Sequence, residues 1–351
     1  MKISQISTYS WFSANNSQIS RIREQLDVAQ RELSTGRHAD VGLELGSKIS
    51  TDVKLRSELS KIETRSDANA HLSSRLDATQ EALTYLVSEA QSFVAELTTA
   101  IGNSLDSGRT VAITHAKSSL ATLEDIGNTS FAGMYVFAGD NVSQPPFGDY
   151  FSDTTSSARL GVATAFFNEF GVSQTDPAVE NLSDQDVEDF LGNAFSSLFE
   201  DPNWSTTWSS ASDTEFKVEV SENEILNLSA TAQGQAFRDL ASGLTIIADL
   251  GIENMNEPAY EAATMAALEK VNASITGLVE MQSNLGLVQD KVETRTKYDS
   301  VRMTIVTSHI NQLESVDSTE AANRLSTLLT QLETSYAATA RIQRLSLMNF
   351  I

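Results

Sequence analysis

The chain has 351 residues, and its 47 Asp and Glu against 24 Lys and Arg give a formal net charge of −23. That charge excludes a nucleic acid or an anionic membrane surface as partner, because phosphate binding needs a dense basic surface. The absence of cysteine excludes disulfides, thiolate metal sites and thiol catalysis, while 40% hydrophobic residues over this length suffice for two or three domains with real cores.

The opening Met1-Lys2-Ile3-Ser4-Gln5-Ile6-Ser7 has no continuous apolar run, so no cleaved secretory signal is expected. No stretch approaches the ~18 apolar residues of a membrane-spanning helix. Residues 3–20 carry no charge and six serines, a composition that leaves an isolated helix marginal in water and is expected to order only against a partner. Ile19, Ile22, Leu26, Ala29 and Leu33 then step by 3-4-3-4, a heptad seam, before Thr35-Gly36, Gly42 and Gly46 break the helix. A second helical pattern runs from about 47 to 104, clearest at Leu72, Leu76, Thr79, Leu83, Leu86, Ala90, Phe93 and Leu97. At ~1.5 Å per residue such a helix is about 85 Å long, too long for one compact globule. A third helix is predicted over 110–126, with Gly127-Asn128 as a left-handed C-cap.

The middle of the chain changes character. Residues 140–230 hold 17 acidic and only two basic side chains, Arg159 and Lys217, and four of the five prolines lie there. Gly133–Gly139 reads as a short strand, and Ser183 with Asp186 opens an amphipathic helix bearing Val187, Phe190, Leu191 and Phe195. Phe216-Lys217-Val218-Glu219-Val220 alternates as a half-buried strand, turning at 221–224 into a return strand over 225–228. Helical periodicity resumes after Asn256-Glu257-Pro258, through Met281, Leu285, Val288 and Val292 and then Met303, Val306, Ile310 and Leu313. Asp317 and Glu320 form a capping-box pattern for a last helix carrying Leu325, Leu329, Leu332, Tyr336 and Ala340.

The breaks near 36–46 and 314–318 fall at similar distances from the two chain ends, so the terminal helices can pair antiparallel. Periodicity by itself leans to an ordinary monomeric bundle. The fold class expected here is mainly α: an elongated antiparallel coiled-coil rod of N- and C-terminal helices with a small α+β outer domain inserted. The boundaries are 1–44 with 314–351 for terminal inner-core helices, disordered before assembly, 45–132 with 231–313 for the long-helix rod, and 133–230 for the acidic outer domain.

Chemistry is scarce. His38, His71, His115 and His309 belong to no metal-ligand pattern, and Gly46-Ser47-Lys48 lacks the glycine that opens a phosphate loop. The acidic run Asp184, Asp186, Glu188, Asp189 has no calcium-loop spacing and suits a helix N-terminus electrostatically. No catalytic residue, cofactor or metal site is expected, and the chain is not read as an enzyme.

Several motifs in order resemble the flagellin superfamily, most closely its hook–filament junction branch. Arg31-Glu32-Leu33-Ser34-Thr35-Gly36 is similar to the family's helix ending in Leu-Ser-[Ser/Thr]-Gly. Gly133-Met134-Tyr135-Val136-Phe137-Ala138-Gly139 with Pro145-Pro146-Phe147 resembles its passage to the outer domain, and Gly234-Gln235-Ala236-Phe237 its return. Leu345-Ser346-Leu347-Met348-Asn349-Phe350-Ile351 is similar to its terminal motif. Residues 37–45 depart from the family's usual basic-Asp-Asp-Pro continuation.

The resemblance implies a structural component of the bacterial flagellum, extracellular and exported without a cleaved signal peptide. It would pass through the flagellar type III export apparatus, with an export chaperone, and join a neighbouring hook-associated protein to flagellin through a ring of its own copies. Ile19, Ile22, Leu26, Leu33, Leu325, Leu329, Leu332 and Tyr336 are the expected assembly interface. The alternative within the superfamily is a flagellin filament subunit; a coiled-coil signalling rod is disfavoured by the β-containing insert.

Overall fold

The computed structural model describes residues 8–101, 106–151, 155–214, 216–221, 224–228 and 230–348. Expectations for residues 3–7, for 349–351 and for the side chains of 342–348 lie outside the described residues. Its helices are α1 (Thr8–Thr35), α2 (Val41–Leu45), α3 (Ile49–Ile101), α4 (Asp106–Gly127), α5 (Ser157–Phe170), α6 (Asp184–Phe190), α7 (Gln235–Asp249), α8 (Glu257–Glu314) and α9 (Ser318–Met348). Two small antiparallel hairpins complete it: β1 (Ser130–Phe131) with β2 (Met134–Tyr135), and β3 (Phe216–Ser221) with β4 (Glu224–Leu228). The chain divides into two compact units, Met1–Thr64 with Tyr298–Ile351, and Arg65–Lys297.

Unit 65–297 is built on one continuous core. Each seam residue predicted for α3 from Leu72 to Leu97 is buried, and α4 answers with Ala112, Ala116, Leu120 and Leu123. The small residues let α4 come close, and α7 packs against it with nearly every side chain from Ala236 to Ala248 buried. Asn256 caps α8, its Oδ1 accepting from the Ala259 amide at 3.1 Å. Leu285 and Val292 of α8 close the same core.

The aromatic residues of the middle segment extend this core. Phe237 meets both Phe137 and Phe147, with ring centroids 5.2 and 5.9 Å away. Trp204 and Trp208 stack at 5.6 Å and touch Phe199 and Tyr150. The Trp204 indole N–H donates to the Ala232 carbonyl at 3.2 Å, so its burial leaves no orphan donor. Arg75 is buried on α3 with its guanidinium over the Phe216 ring at 4.3 Å, and loss of water there lowers its pKa.

Local structure departs from expectation at three places, one being the helix opened by Ser183, which is α-helical only to Phe190 and continues over Leu191–Phe195 as a π-helix. α4 starts at Asp106 and runs through Gly127 without a left-handed residue. This glycine instead makes room: a Cβ there would stand 2.5 Å from the Phe147 ring. The strand expected over 133–139 shrinks to Met134–Tyr135, because Ala132 and Gly133 both take positive φ and fold a tight turn back onto Ser130–Phe131. The chain then leaves at Gly139, whose φ is +61° and whose missing Cβ would lie 2.4 Å from the Ser212 carbonyl oxygen. The 216–228 hairpin and the Ser183–Asp186 capping box are as read from sequence.

Segment 147–151 is tied to α4 and α7 by buried polar groups. Asn128 exchanges hydrogen bonds with the Phe147 backbone at 2.9 and 3.0 Å. Glu124 accepts from the Tyr150 amide at 2.9 Å, and the Tyr150 hydroxyl donates to Asp249 at 3.0 Å. Burial pushes the Glu124 carboxyl up to about 7, with the Tyr150 amide opposing and the charges of Asp149 and Asp125 adding to the rise. Tyr150 and Asp249 are raised as well, in both cases chiefly by burial.

Because the folded Glu124 holds its proton more tightly than the unfolded chain does, this group favours folding at low pH. That contribution declines as pH rises from the ordinary carboxylate value, and the loss is complete above about 7. Glu124→Gln removes the titration. Its melting temperature is expected to match wild type near pH 4.5 and to exceed it at pH 8 by several degrees, since a rise from 4.5 to about 7 corresponds to at most roughly 3 kcal/mol and solvent screening at this partly exposed group reduces it. A constant difference across that range would contradict the assignment. Gly139→Ala meets a backbone carbonyl that cannot give way, and should cost about 2–4 kcal/mol from overpacking and left-handed strain. Urea unfolding followed by Trp204 and Trp208 fluorescence reads it, and an unchanged midpoint would count against it.

Candidate assembly interface

Unit 1–64/298–351 holds the residues singled out for assembly. α1 and α9 pack antiparallel: Asn15 donates to Thr339, Arg23 to Tyr336, and Arg324 to Glu32 near the opposite end. The seam between them is Ile19, Ile22, Ala29 and Leu328, all buried, flanked by the partly buried Leu26, Leu325 and Leu332. Each large aliphatic fully buried in such a seam stabilises it by roughly 1.5–3 kcal/mol.

Four of the eight predicted interface residues therefore meet, Ile22, Leu26, Leu325 and Leu332, and Ile19 is buried on the same row of α1. Leu33 and Leu329 point out of the seam, while Tyr336 lies at its edge, its hydroxyl accepting from Arg23 of α1 and its ring 5.7 Å from that guanidinium. Leu33 is 38% exposed, Leu329 44% and Tyr336 41%, and Leu328, at 7%, fills the place given to Leu329. The inward row of α9 is Ala321, Leu325, Leu328, Leu332, Ser335 and Thr339, which keeps the heptad spacing but closes on small polar residues. The run of leucines at 328, 329 and 332 hides this row from a hydrophobicity pattern, because either neighbour satisfies a 3-4 step. On α1 the inward row continues from Ala29 to Glu32, a charge, and Leu33 falls beside it.

The helices end where two linkers meet. Gly36 takes φ +68° and stops α1. Arg37 and Ser315 form an antiparallel bridge; the His38 amide donates to the Glu314 carbonyl at 2.9 Å and the Val316 amide to the Gly36 carbonyl at 3.0 Å. The two chain breaks noted in the sequence are thus a matched pair. Asp317 then caps α9, its Oδ1 accepting from the Thr319 amide at 2.8 Å and holding its carboxyl below the usual range. Ile62, Val306 and Ile310, with Leu55, Leu59 and Met303, pack α3 on α8 beside this joint.

Ion pairs surround it, and sequence reasoning gave them no role. Glu314 is fully buried between Arg37, at 3.3 Å, and Arg56, which also contacts Asp52 at 3.2 Å. Glu32 pairs with Arg324 at 3.1 Å, accepts from the Ala39 amide at 3.2 Å, and has the His38 ring 3.8 Å away. Hydrogen bonding to Glu314 raises the Arg56 pKa further above its ordinary value.

Among the described residues no group of three or more His, Asp or Glu could hold a metal ion, and no helix is long and apolar enough to cross a membrane. The surfaces at hand are helix faces.

Comparison with known proteins places these helices. The family described as bacterial flagellin N-terminal helical region matches residues 6–142, and that described as bacterial flagellin C-terminal helical region matches 268–351. No curated protein sequence matches significantly. Among solved structures, a protein described as a flagellar hook-associated protein of Vibrio parahaemolyticus is similar in fold. Its TM-score is 0.53 at 12% identity, and the match covers 76% of this chain and 97% of that one. FlgL of Bacillus cereus gives a TM-score of 0.47 at 13% identity, over 74% and 99% of the two chains.

Neighbouring leucines on α9 make a sharp test of the seam. Leu328→Asp places a carboxylate in it and should cost about 3 kcal/mol or more, exposing α1 and α9 to hydrogen exchange. Leu329→Asp, one residue on, should leave their protection within a factor of about two of wild type, as outward substitutions do. Equal effects of the two would contradict the assigned face.

Proposed function

This chain belongs to the bacterial flagellin superfamily, and from that premise we propose that it is the adaptor between the flagellar hook and the filament. Its role is structural rather than enzymatic, in an appendage exposed outside the cell. As adaptor it is exported through the type III apparatus with a chaperone. It then folds by bringing its two ends together, and forms a ring of copies between a hook-associated neighbour and the first flagellin subunits.

One observation carries this reading. The terminal pair satisfies its own seam with Ile22, Ala29 and Leu328 and still turns Leu33 of α1 and Leu329 of α9 outward. Large apolar groups on both helices of a pair that is already closed need a neighbour to cover them. On α8 within unit 65–297, Met265, Val279 and Leu287 are also exposed and lie within about 80° of arc at 100° per residue. A repeating ring supplies such neighbours. The Pro145-Pro146-Phe147 segment and the Asn349-Phe350-Ile351 ending support the junction over the filament subunit, as does the hook-associated description of the Vibrio fold relative.

Deleting the gene tests it. The junction reading expects hooks on the cells, flagellin free in the medium and no attached filaments; a filament subunit would instead leave no flagellin in the medium. Leu33→Asp combined with Leu329→Asp should keep the terminal pair closed and abolish filament attachment. Normal filaments on that variant would refute the outward face as the interface.

A further inference from the structure

Segments 144–148 and 205–210 of unit 65–297 enclose a groove of about 330 Å³. That volume is at the small end of ligand pockets, with room for roughly one or two six-membered rings. Its walls are pinned. Phe147 and Ser209 form an antiparallel bridge, and the Ser210 amide donates to the Pro146 carbonyl at 2.9 Å. Trp208 stacks on Trp204 at 5.6 Å and on Tyr150 at 5.2 Å, and Asn128, just past α4, holds the Phe147 backbone. A groove held this way exists before any ligand arrives, so filling it costs little ordering.

The lining carries no charged side chain, although residues 140–230 hold 17 acidic and two basic ones. Its hydroxyl hydrogens are already used. Ser205 donates to the Pro202 carbonyl at 3.1 Å and Thr206 to the same carbonyl at 2.9 Å. Thr207 donates to the Asn203 carbonyl at 2.8 Å and Ser210 to the Pro145 carbonyl at 2.6 Å. Each oxygen keeps its acceptor lone pairs, and the exposed Gln144 amide adds two donors and an acceptor. Pro145 is exposed beside them, while Phe147 and Trp208, only 4% and 7% exposed, contribute apolar edges.

Such a lining selects its ligand. A cation finds no carboxylate there to neutralise it. An anion meets oxygen acceptors within an acidic segment. What fits is an uncharged molecule with several hydroxyl donors and an apolar C–H face. We infer that the groove binds a neutral saccharide. Its hydroxyls donate to Ser205, Thr206 and Ser210 and pair with Gln144, while a ring face lies on Pro145. The inference concerns unit 65–297 alone and holds or fails independently of the junction reading.

Titration of the full chain with glucose, galactose, mannose, maltose and lactose tests it, read by saturation-transfer NMR and tryptophan fluorescence. At least one of these should bind saturably, with Kd on the order of 1 mM. Glucuronate and galacturonate should bind about tenfold more weakly or not at all. Gln144→Ala combined with Ser205→Leu should weaken the neutral sugar about tenfold with the melting temperature unchanged, since both positions are exposed. Thr206→Ala, a smaller change at the rim, should weaken it too and serves if the double variant melts lower. The inference is overturned by no saturable binding of any neutral probe, by equal binding of the acidic sugars, or by full affinity in the variants. Binding of a proline-rich peptide without any response to sugars would assign the groove to protein and overturn it as well.

Discussion

Pairing of the first helix with the last is the constraint on which the rest depends. Segments from the two ends of the chain share one seam, and each is a poor helix alone: the start of α1 is uncharged and serine-rich, and α9 buries only one side of its leucines. Closing them together requires the chain to turn twice at matched points, and the Gly36 and Ser315 linkers do this side by side. The structural role at the flagellum follows from the family match, and the interface proposed for it from what remains uncovered. The pair hides Leu328 and displays Leu329, so its closed form is also the form with an apolar face to offer.

Unit 65–297 solves a different problem. Its long helices would expose a continuous seam without a filler, and α7 together with the aromatic residues of 137–208 provides one. Among its buried polar groups, Tyr150 is paired with Asp249. Burial raises Glu124 to about 7 and raises Asp249 as well, so this core disfavours the ionised form of both carboxyls.

Much of this was legible in the sequence, and the limits have physical causes. The α3 seam was readable residue by residue because it combines large aliphatics with strict spacing and is covered from several sides. The α1/α9 seam was readable only to the level of the helix face: a run of adjacent leucines fits two rows, and burial selects Leu328 over Leu329 only once α1 is in place. The ion pairs at the joint left no pattern at all, because Glu32 and Arg324 are surface-type residues brought together across 292 positions. Gly127 carried a real signal that was read for the wrong reason; its lack of a side chain serves the Phe147 ring rather than a helix cap. The proposed roles of the outer segment and the terminal pair rest on these placements together with the superfamily membership.

The mating of the two ends has a direct chemical test, since the chain contains no cysteine. Asn15 and Thr339 face each other in the polar stretch of the seam, where substitution disturbs no buried aliphatic. Oxidation of an Asn15→Cys/Thr339→Cys chain should give an intramolecular disulfide, seen as a mobility shift without reductant, and an Asn15→Cys/Asn323→Cys control should not. Equal crosslinking in the two variants, or none in the first, would contradict the pairing of α1 with α9.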